Sequence, residues 1–241
     1  PSIDDLPVLG SGGAAAISVE KAISLEPDLV VLSRFVDGGT EPGQTGELAR
    51  RFTAIGIPVI VIDFFQAPLE ETERSLLILG RDIGREEKAN AYNAFYRDHL
   101  DRIVGTVSKP GLVRPRVFMH VHAGGPNCCY SPGRGVFEGF IGAAGGHNIG
   151  SDVLPGATGE LSPEYVASAR PEVYVATGGT YLARMGGFVI GSGVSEEDAR
   201  RSLGTTVERL KLQAVSDLGP RRIHGMWQLF NDTPVNIVAI E

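Results

Sequence analysis

Tryptophan and cysteine are nearly missing from this chain, with one Trp and two Cys in 241 residues. The cysteines say little by number but stand side by side, as Cys128 and Cys129. The favoured reading is two reduced, partly buried thiols; the alternative is a vicinal disulfide of an oxidising compartment. No C-x-x-C is present for zinc or dithiol chemistry. The G-x-S-x-G elbow and the H-E-x-x-H motif are both absent, so hydrolytic and zinc-protease chemistry lack their signatures. Histidine is scarce too: His99, His120, His122, His147 and His224 are the full set of five. All fall in or after residues 86–107. A bare metal ion shared with the earlier part of the chain would meet only carboxylates there, such as Asp37, Glu41 or Asp63. No apolar run approaches the ~20 residues of a membrane helix. Positive charge is in deficit, 22 basic residues against 29 acidic for a net charge of -7. Nucleic acid is therefore not an expected partner, because phosphate binding calls for a basic stripe.

What remains is the composition of a globular chain, 42% hydrophobic, large enough for one big domain or two small ones. Glycine is plentiful at 32, which predicts many turns and close backbone approaches. Pro1-Ser2-Ile3-Asp4-Asp5 has neither the basic nor the apolar region of a signal peptide. Both ends of the chain are expected to be trimmed, so the compartment is not read from them.

One long helix is predicted over Glu86–Val107. Apolar residues recur at Ala89, Tyr92, Phe95/Tyr96, Leu100, Ile103, Val104 and Val107 with charges between them. Gly84 precedes the helix and Lys109-Pro110-Gly111 stops it. At ~1.5 Å per residue it would span roughly 33 Å. Its Tyr92, Phe95 and Ile103 stripe is expected to pack along what flanks it.

Before this helix, strand and helix alternate as in a parallel α/β layer. Ser18 caps a helix to Leu25, Leu29–Ser33 is a buried strand, and Arg34–Thr45 is a polar loop. Glu47–Ile55 is helical, Pro58–Ile62 is the next strand, and Leu69–Leu79 is a helix ended by Gly80. After it the pattern restarts. Arg116–Val121 is a strand, Ala123–Arg134 a loop, and Gly135–Ala144 a helix. Ser162 caps a helix to Ala169, and Pro171–Ala176 is a strand. Glu196–Leu203 and Val207–Ala214 read as two helices, and 227–230 and 235–240 as final strands. The two halves echo each other. Residues 17–33 and 161–177 align without a gap: a serine cap, Glu20 or Glu164 two residues on, a one-faced apolar helix, Pro-acid, then a strand. A weaker echo pairs 56–62 with 232–238. The expected fold is α/β: two Rossmann-like three-layer lobes, residues 1–84 and 109–241, joined by a connecting helix over 85–108, with a ligand cleft between lobes.

Ligands of α/β sheets sit beyond the carboxyl ends of the strands. The loops there carry Arg34 and Phe35, Phe64 and Phe65, His122 to Tyr130, then Tyr181 with Arg184; Trp227 lies on a late strand approach. Aromatics with arginine suit a bulky, partly apolar ligand bearing anionic groups, through stacking, cation–π contact and charge-assisted hydrogen bonds. His120 and His122 would share one strand face as a possible metal pair, but a packed His120 and a hydrogen-bonding His122 are favoured. A rival reading is dinucleotide binding. Gly10-Ser11-Gly12-Gly13-Ala14-Ala15 fits G-x-G-x-x-A, and Arg34 could meet a 2′-phosphate. Its context is poor, since the helix starts at Ser18 and its dipole would be displaced from a pyrophosphate.

Several pieces resemble one family in order and spacing across nearly the whole chain. They are Ser18-Val19-Glu20 with Leu25 to Val31, Leu48 with Gly56-Ile57-Pro58-Val59, and Leu79-Gly80 with Gly84 and Lys88-Ala89. Then come Gly145-Gly146-His147-Asn148-Ile149, Leu161-Ser162 with Glu164 and Arg170 to Val173, and His224 to Trp227 with Phe230 and Thr233-Pro234. Together they resemble the periplasmic substrate-binding proteins of iron–siderophore, haem and cobalamin ABC importers. The adjacent cysteines are not part of that pattern.

The resemblance implies transport and no enzymatic activity. The protein would be the solute-binding component of an importer, periplasmic or lipid-anchored outside the cytoplasm. It would capture a small-molecule metal chelate, a ferric siderophore first and haem or cobalamin as alternative, and deliver it to the permease transmembrane subunits. It would act as a monomer, with no cofactor and no metal site of its own. Arg34 and Arg184 would meet anionic oxygens, and Phe65, Tyr130, Tyr181 and Trp227 would form the walls. His122 would donate a hydrogen bond, or serve as axial donor to a haem or cobalamin. Glu47 on the first lobe and Glu196 or Glu197 on the second would dock on permease arginines. The remaining alternative is an NADP-dependent oxidoreductase using the Gly10–Ala15 loop.

Overall fold

The computed structural model describes residues 5–10, 17–38, 45–125, 128–213, 222–227 and 237–240. The chain divides into two compact units, Pro1–His99 and Leu100–Glu241. The division falls inside one continuous helix.

The first unit is built on two parallel strands. Helix α1 (Val19–Ser24) starts where Ser18 accepts a hydrogen bond from the Lys21 backbone N–H at 3.2 Å, satisfying one of the donors that a helix start leaves unpaired. Strand β1 (Val30–Ser33) follows and pairs in parallel with β2 (Val59–Ile62), Val30 against Val59 and Ser33 against Ile62. Between them lie α2 (Arg34–Asp37) and α3 (Glu47–Thr53). Val19, Ala22, Leu32, Leu48, Ala49 and Phe52 form the core. The expected loop at Arg34 thus begins as a helical turn, closed by Gly38 in the left-handed region at φ 77. The later part of that loop, with Glu41, lies outside the described residues, as do Ser11–Ala15 of the glycine pattern.

Helix α4 (Pro68–Asp82) runs past Gly80 instead of stopping there. The glycine serves contact rather than termination. A Cβ at Gly80 would lie 2.6 Å from the Ala89 Cβ, so its absence lets α4 and α5 (Glu86–Val107) approach closely. The turn comes at Gly84, φ 67. The long helix has the predicted bounds, but its packing face differs from expectation. Ala89 and Asn93 are its buried residues. Asn93 donates to the Glu73 carbonyl at 2.9 Å, Tyr96 donates to the Pro68 carbonyl, and Arg97 pairs with Glu73. Tyr92, Phe95, Ile103 and Val104 are exposed. The small residue and the amide win the interface because close helix packing excludes large rings.

The second unit holds a five-stranded sheet of order β5-β3-β7-β8-β9. Strand β3 (Arg116–His120) lies between β5 (His147–Asn148) and β7 (Val173–Gly178), and β8 (Arg222–Trp227) extends the sheet; all four are parallel. Strand β9 (Ile237–Ile240) runs antiparallel to β8. Strands β4 (Tyr130–Pro132), within the segment expected to be loop, and β6 (Thr158–Glu160) form a small antiparallel ribbon. Helices α6 (Val136–Ala143) and α7 (Pro163–Ala169) have the predicted places. Phe118, Ile149, Val166, Tyr174, Phe188 and Leu203 are buried in the core. The two helices expected over 196–214 are one, α8 (Glu196–Gln213), running through Gly204.

The internal echo extends to the backbone. Ser162 caps α7 as Ser18 caps α1. Glu26 and Arg170, each just before the proline of its copy, are both left-handed at φ 49 and 46. Non-glycine residues seldom adopt that conformation. Most of the later copy of the weaker echo lies outside the described residues, and β9 is antiparallel where β2 is parallel.

Gly80→Leu is expected to destabilise the protein by about 1–3 kcal/mol through overpacking. Phe95→Ala should change stability by less than about 0.5 kcal/mol, as for an exposed position. Urea unfolding of both variants against the parent checks the pair.

Candidate functional site

The best-formed cluster stands at the carboxyl ends of β3 and β7. After His120 the chain turns sharply, and His122 is left-handed at φ 53. The turn is held by buried Thr177 at the end of β7. Its hydroxyl accepts from the His122 N–H at 3.1 Å and its carbonyl from the Ala123 N–H at 2.9 Å. Val121 N–H donates to the Tyr130 carbonyl at 2.7 Å, bringing β4 alongside.

Three predicted residues meet here. The His122 Nδ1 and the Tyr181 hydroxyl lie 2.6 Å apart, with the rings nearly perpendicular. The Tyr130 ring is stacked toward His122 at 6.3 Å between centroids, and its hydroxyl bonds the Thr158 hydroxyl at 2.7 Å. Burial holds the His122 imidazole below the usual histidine range and pushes the Tyr181 phenol up. Both groups are therefore uncharged at neutral pH. A phenol that donates to Nδ1 leaves the proton on Nε2. The opposite tautomer presents an Nε2 lone pair, the form that ligates a metal. Arg184 sits exposed on the same 3-10 turn as Tyr181, Thr180–Met185. Trp227 ends β8, its backbone in register with Gly178 at the same sheet edge.

His120 takes the packed role. It is buried, its Nδ1 2.9 Å from the Tyr174 hydroxyl. It does not form a pair with His122, because the turn at His122 ends the strand alternation. Among the described residues no group of three His, Cys, Asp or Glu side chains gathers as a metal site. The cysteines are bonded to each other, not reduced as favoured from sequence. Cys129 is buried and left-handed, and its carbonyl accepts from Leu161. The disulfide thus lies in the segment leading into Tyr130.

In the first unit the strand-end residues are arranged differently. Arg34 is buried, and its guanidinium meets Asp63 at 3.2 Å and Glu71 at 3.7 Å. Asp63 is 1% exposed and also accepts from the N–H groups of Phe65, Gln66 and Ala67. The expected anion-binding arginine thus serves an internal carboxylate, and that carboxylate shapes the loop after β2. Phe65 packs edge-on against Phe35 at 4.9 Å, and Phe35 and Phe64 are exposed. Asp37 works likewise, accepting from the Gly46 and Ala49 N–H groups to start α3. Glu47 and Glu196 each open a helix as exposed carboxylates, paired to Arg50 at 3.1 Å and Arg200 at 2.7 Å.

Sequence reasoning missed Thr177 and Arg209. Thr177 ends the echoed segment 161–177, and nothing local in the sequence marks it as the anchor of the turn at His122. Arg209, on α8, donates to the Gly124 and Gly186 carbonyls at 3.0 Å each. No local motif marks a side chain whose partners are backbone atoms so distant in the chain.

Two aromatic rings and an uncharged imidazole thus meet beyond the carboxyl ends of β3 and β7. The chain belongs to the periplasmic binding protein family, which matches residues 4–194. It is a family of binding proteins and not of enzymes, which sets aside the oxidoreductase reading. A cobalamin-binding protein of Halobacterium salinarum is 31% identical over 179 residues, 73% of this chain and 44% of that protein. The chain therefore spans less than half the length of this curated relative. The TroA-like periplasmic binding protein FepB of Veillonella parvula has the same fold, with a TM-score of 0.75 at 21% identity over 93% of this chain and 64% of that one. The periplasmic haem-binding protein RhuT of Roseiflexus sp. RS-1 matches with a TM-score of 0.63 at 19% identity, over 92% and 74%. The α/β class read from the sequence agrees with these likenesses.

Asp63→Ala is expected to cost about 3–5 kcal/mol, because it leaves the Arg34 charge buried without its main partner. Chemical denaturation measures this. A loss below about 1 kcal/mol would show that the pair is not a structural centre of the first unit.

Proposed function

We propose that this chain is the solute-binding part of an ABC importer and that it captures a bulky metal chelate outside the cytoplasm. A corrinoid is the favoured cargo, ahead of haem and of a ferric siderophore. The observation that carries this reading is the uncharged ring cluster of His122, Tyr130 and Tyr181. Such rings suit the face of a large macrocycle. The cobalamin-binding name of the Halobacterium relative points the same way. Arg184 and Trp227 complete the proposed binding set. His122 contributes either an Nε2 hydrogen bond or, with the other tautomer, a bond to the chelated metal. The first tautomer suits a macrocycle held by its periphery; the second favours haem.

Isothermal titration calorimetry with cyanocobalamin, haemin, a ferric catecholate siderophore and NADPH tests the reading. Saturable heat with cyanocobalamin, weakened about tenfold or ~1.4 kcal/mol in His122→Ala, is expected. Binding of NADPH alone would overturn it. Haemin binding with a Soret shift that disappears in His122→Ala would move the assignment to haem. Affinity should hold steady as pH falls to the ordinary histidine range and drop only below it, since burial disfavours the imidazolium. That acid limb should be absent from His122→Ala.

Glu47 and Glu196 are the proposed contacts to permease arginines. Their present partners lie on their own helices and are solvent-exposed, and such pairs contribute little, so exchange for a partner's arginine is inexpensive. Glu47→Arg with Glu196→Arg should abolish stimulation of the importer's ATP hydrolysis while leaving ligand affinity unchanged. Normal stimulation by the double variant would remove these residues from the docking face.

A further inference from the structure

We infer that Arg209 on α8 is the positioning residue of the binding site: its guanidinium holds the two loops that bring His122 and Tyr181 into contact. The inference rests on the proposal that this pair faces the ligand. Each partner comes from a different crossover. His122 lies on the turn after β3, and Tyr181 on the turn after β7. What joins these turns is nearly all backbone. Phe188 N–H donates to the Ala123 carbonyl at 2.8 Å. Gly124, at φ 78, approaches Gly187 so closely that a Cβ on it would lie 2.7 Å from the Gly187 Cα. Contact between two glycines brings no interlocking side chains, so it fixes the separation of the turns but resists sliding poorly.

Arg209 supplies the missing constraint. Nη1 donates to the Gly124 carbonyl and Nη2 to the Gly186 carbonyl, both at 3.0 Å. The guanidinium is planar, and the relative directions of its donors are fixed. One carbonyl from each turn is thereby held in a set relation to the other. The fork stands on a firm base, because Leu203, Val207 and Leu210 of α8 are buried in the core. One helical turn before Arg209, Thr206 faces the same loop. Its hydroxyl would lie 3.0 Å from a Cβ at Gly124. Lysine could reach either carbonyl but has no rigid fork to hold both.

The test uses the full chain, with Arg209→Met, Arg209→Lys, Tyr181→Phe and the double variant Arg209→Met/Tyr181→Phe. The ligand-free readout is the titration of the His122 ring by NMR. In the parent it titrates below the ordinary histidine range. In Arg209→Met it should move up toward that range as the turns part and water enters. Arg209→Lys should restore only part of the parent value. The double variant should shift no further than the larger single one, because both changes act through the same contact. Cyanocobalamin affinity should fall about tenfold in Arg209→Met. An unchanged His122 titration in Arg209→Met, or additive shifts in the double variant, would overturn the inference. If Arg209→Met does not fold, Arg209→Lys with and without Tyr181→Phe decides it by the same comparison. If the parent binds none of the macrocycles, the ligand reading fails, and the titrations still decide the clamp.

Discussion

The site depends on a reversal of the chain at His122. A histidine in the left-handed region is held there against its own preference, and buried Thr177 holds the turn by accepting two hydrogen bonds, its hydroxyl from the His122 N–H and its carbonyl from the Ala123 N–H. Thr177 can do so because β7 runs parallel to β3 and reaches the same sheet edge. Without the reversal, His122 would continue the strand alternation and lie on the same face as His120, in the core. With it, the imidazole swings out to Tyr181 and lies over Tyr130. The parallel register thus converts a strand residue into a surface-facing one, and the ring cluster follows.

The first unit uses a related device with opposite polarity. Its strand ends are organised by buried carboxylates in place of a hydroxyl. Asp63 collects three backbone N–H groups and one guanidinium; Asp37 collects two N–H groups at the start of α3. Each supplies acceptors where a turn leaves donors unpaired. Arg34 is thereby a consequence of Asp63, present to balance its charge. The surface beside it is aromatic, with the Phe35 and Phe65 rings packed edge to face.

The architecture was largely legible in the sequence because it is written locally. Ser18 and Ser162 announce their helices, the β-branched runs announce the buried strands, and the matching Pro-acid turns announce the repeat, down to the left-handed Glu26 and Arg170. The contents of the strand-end loops were legible as a list: His122, Tyr130 and Tyr181 were all named from position alone. Their mutual arrangement was not, since the bond between His122 and Tyr181 joins residues brought together only by the sheet. Arg34 illustrates the same limit. An arginine after a strand reads equally as a ligand contact or as a counterion, and only the burial of Asp63 decides. Gly80 misled because a glycine within an apolar stretch signals a helix end and a close helix contact alike. The large residues of α5 misled because periodicity identifies an apolar stripe without saying whether another surface is close enough to cover it.

The glycine contact between the two turns has a consequence for how such a site can diverge. Gly124 and Gly187 have no room for any side chain, and Thr177 and Arg209 bond to backbone atoms that every sequence shares. These four positions form a frame indifferent to which side chains project from it. Tyr130, Tyr181 and Arg184 project from that frame and can be exchanged without altering a single backbone hydrogen bond of the turns. Change in what this surface presents, whether by natural drift or by design, therefore has an address: the projecting positions are the variable type, and the frame is the press that prints them.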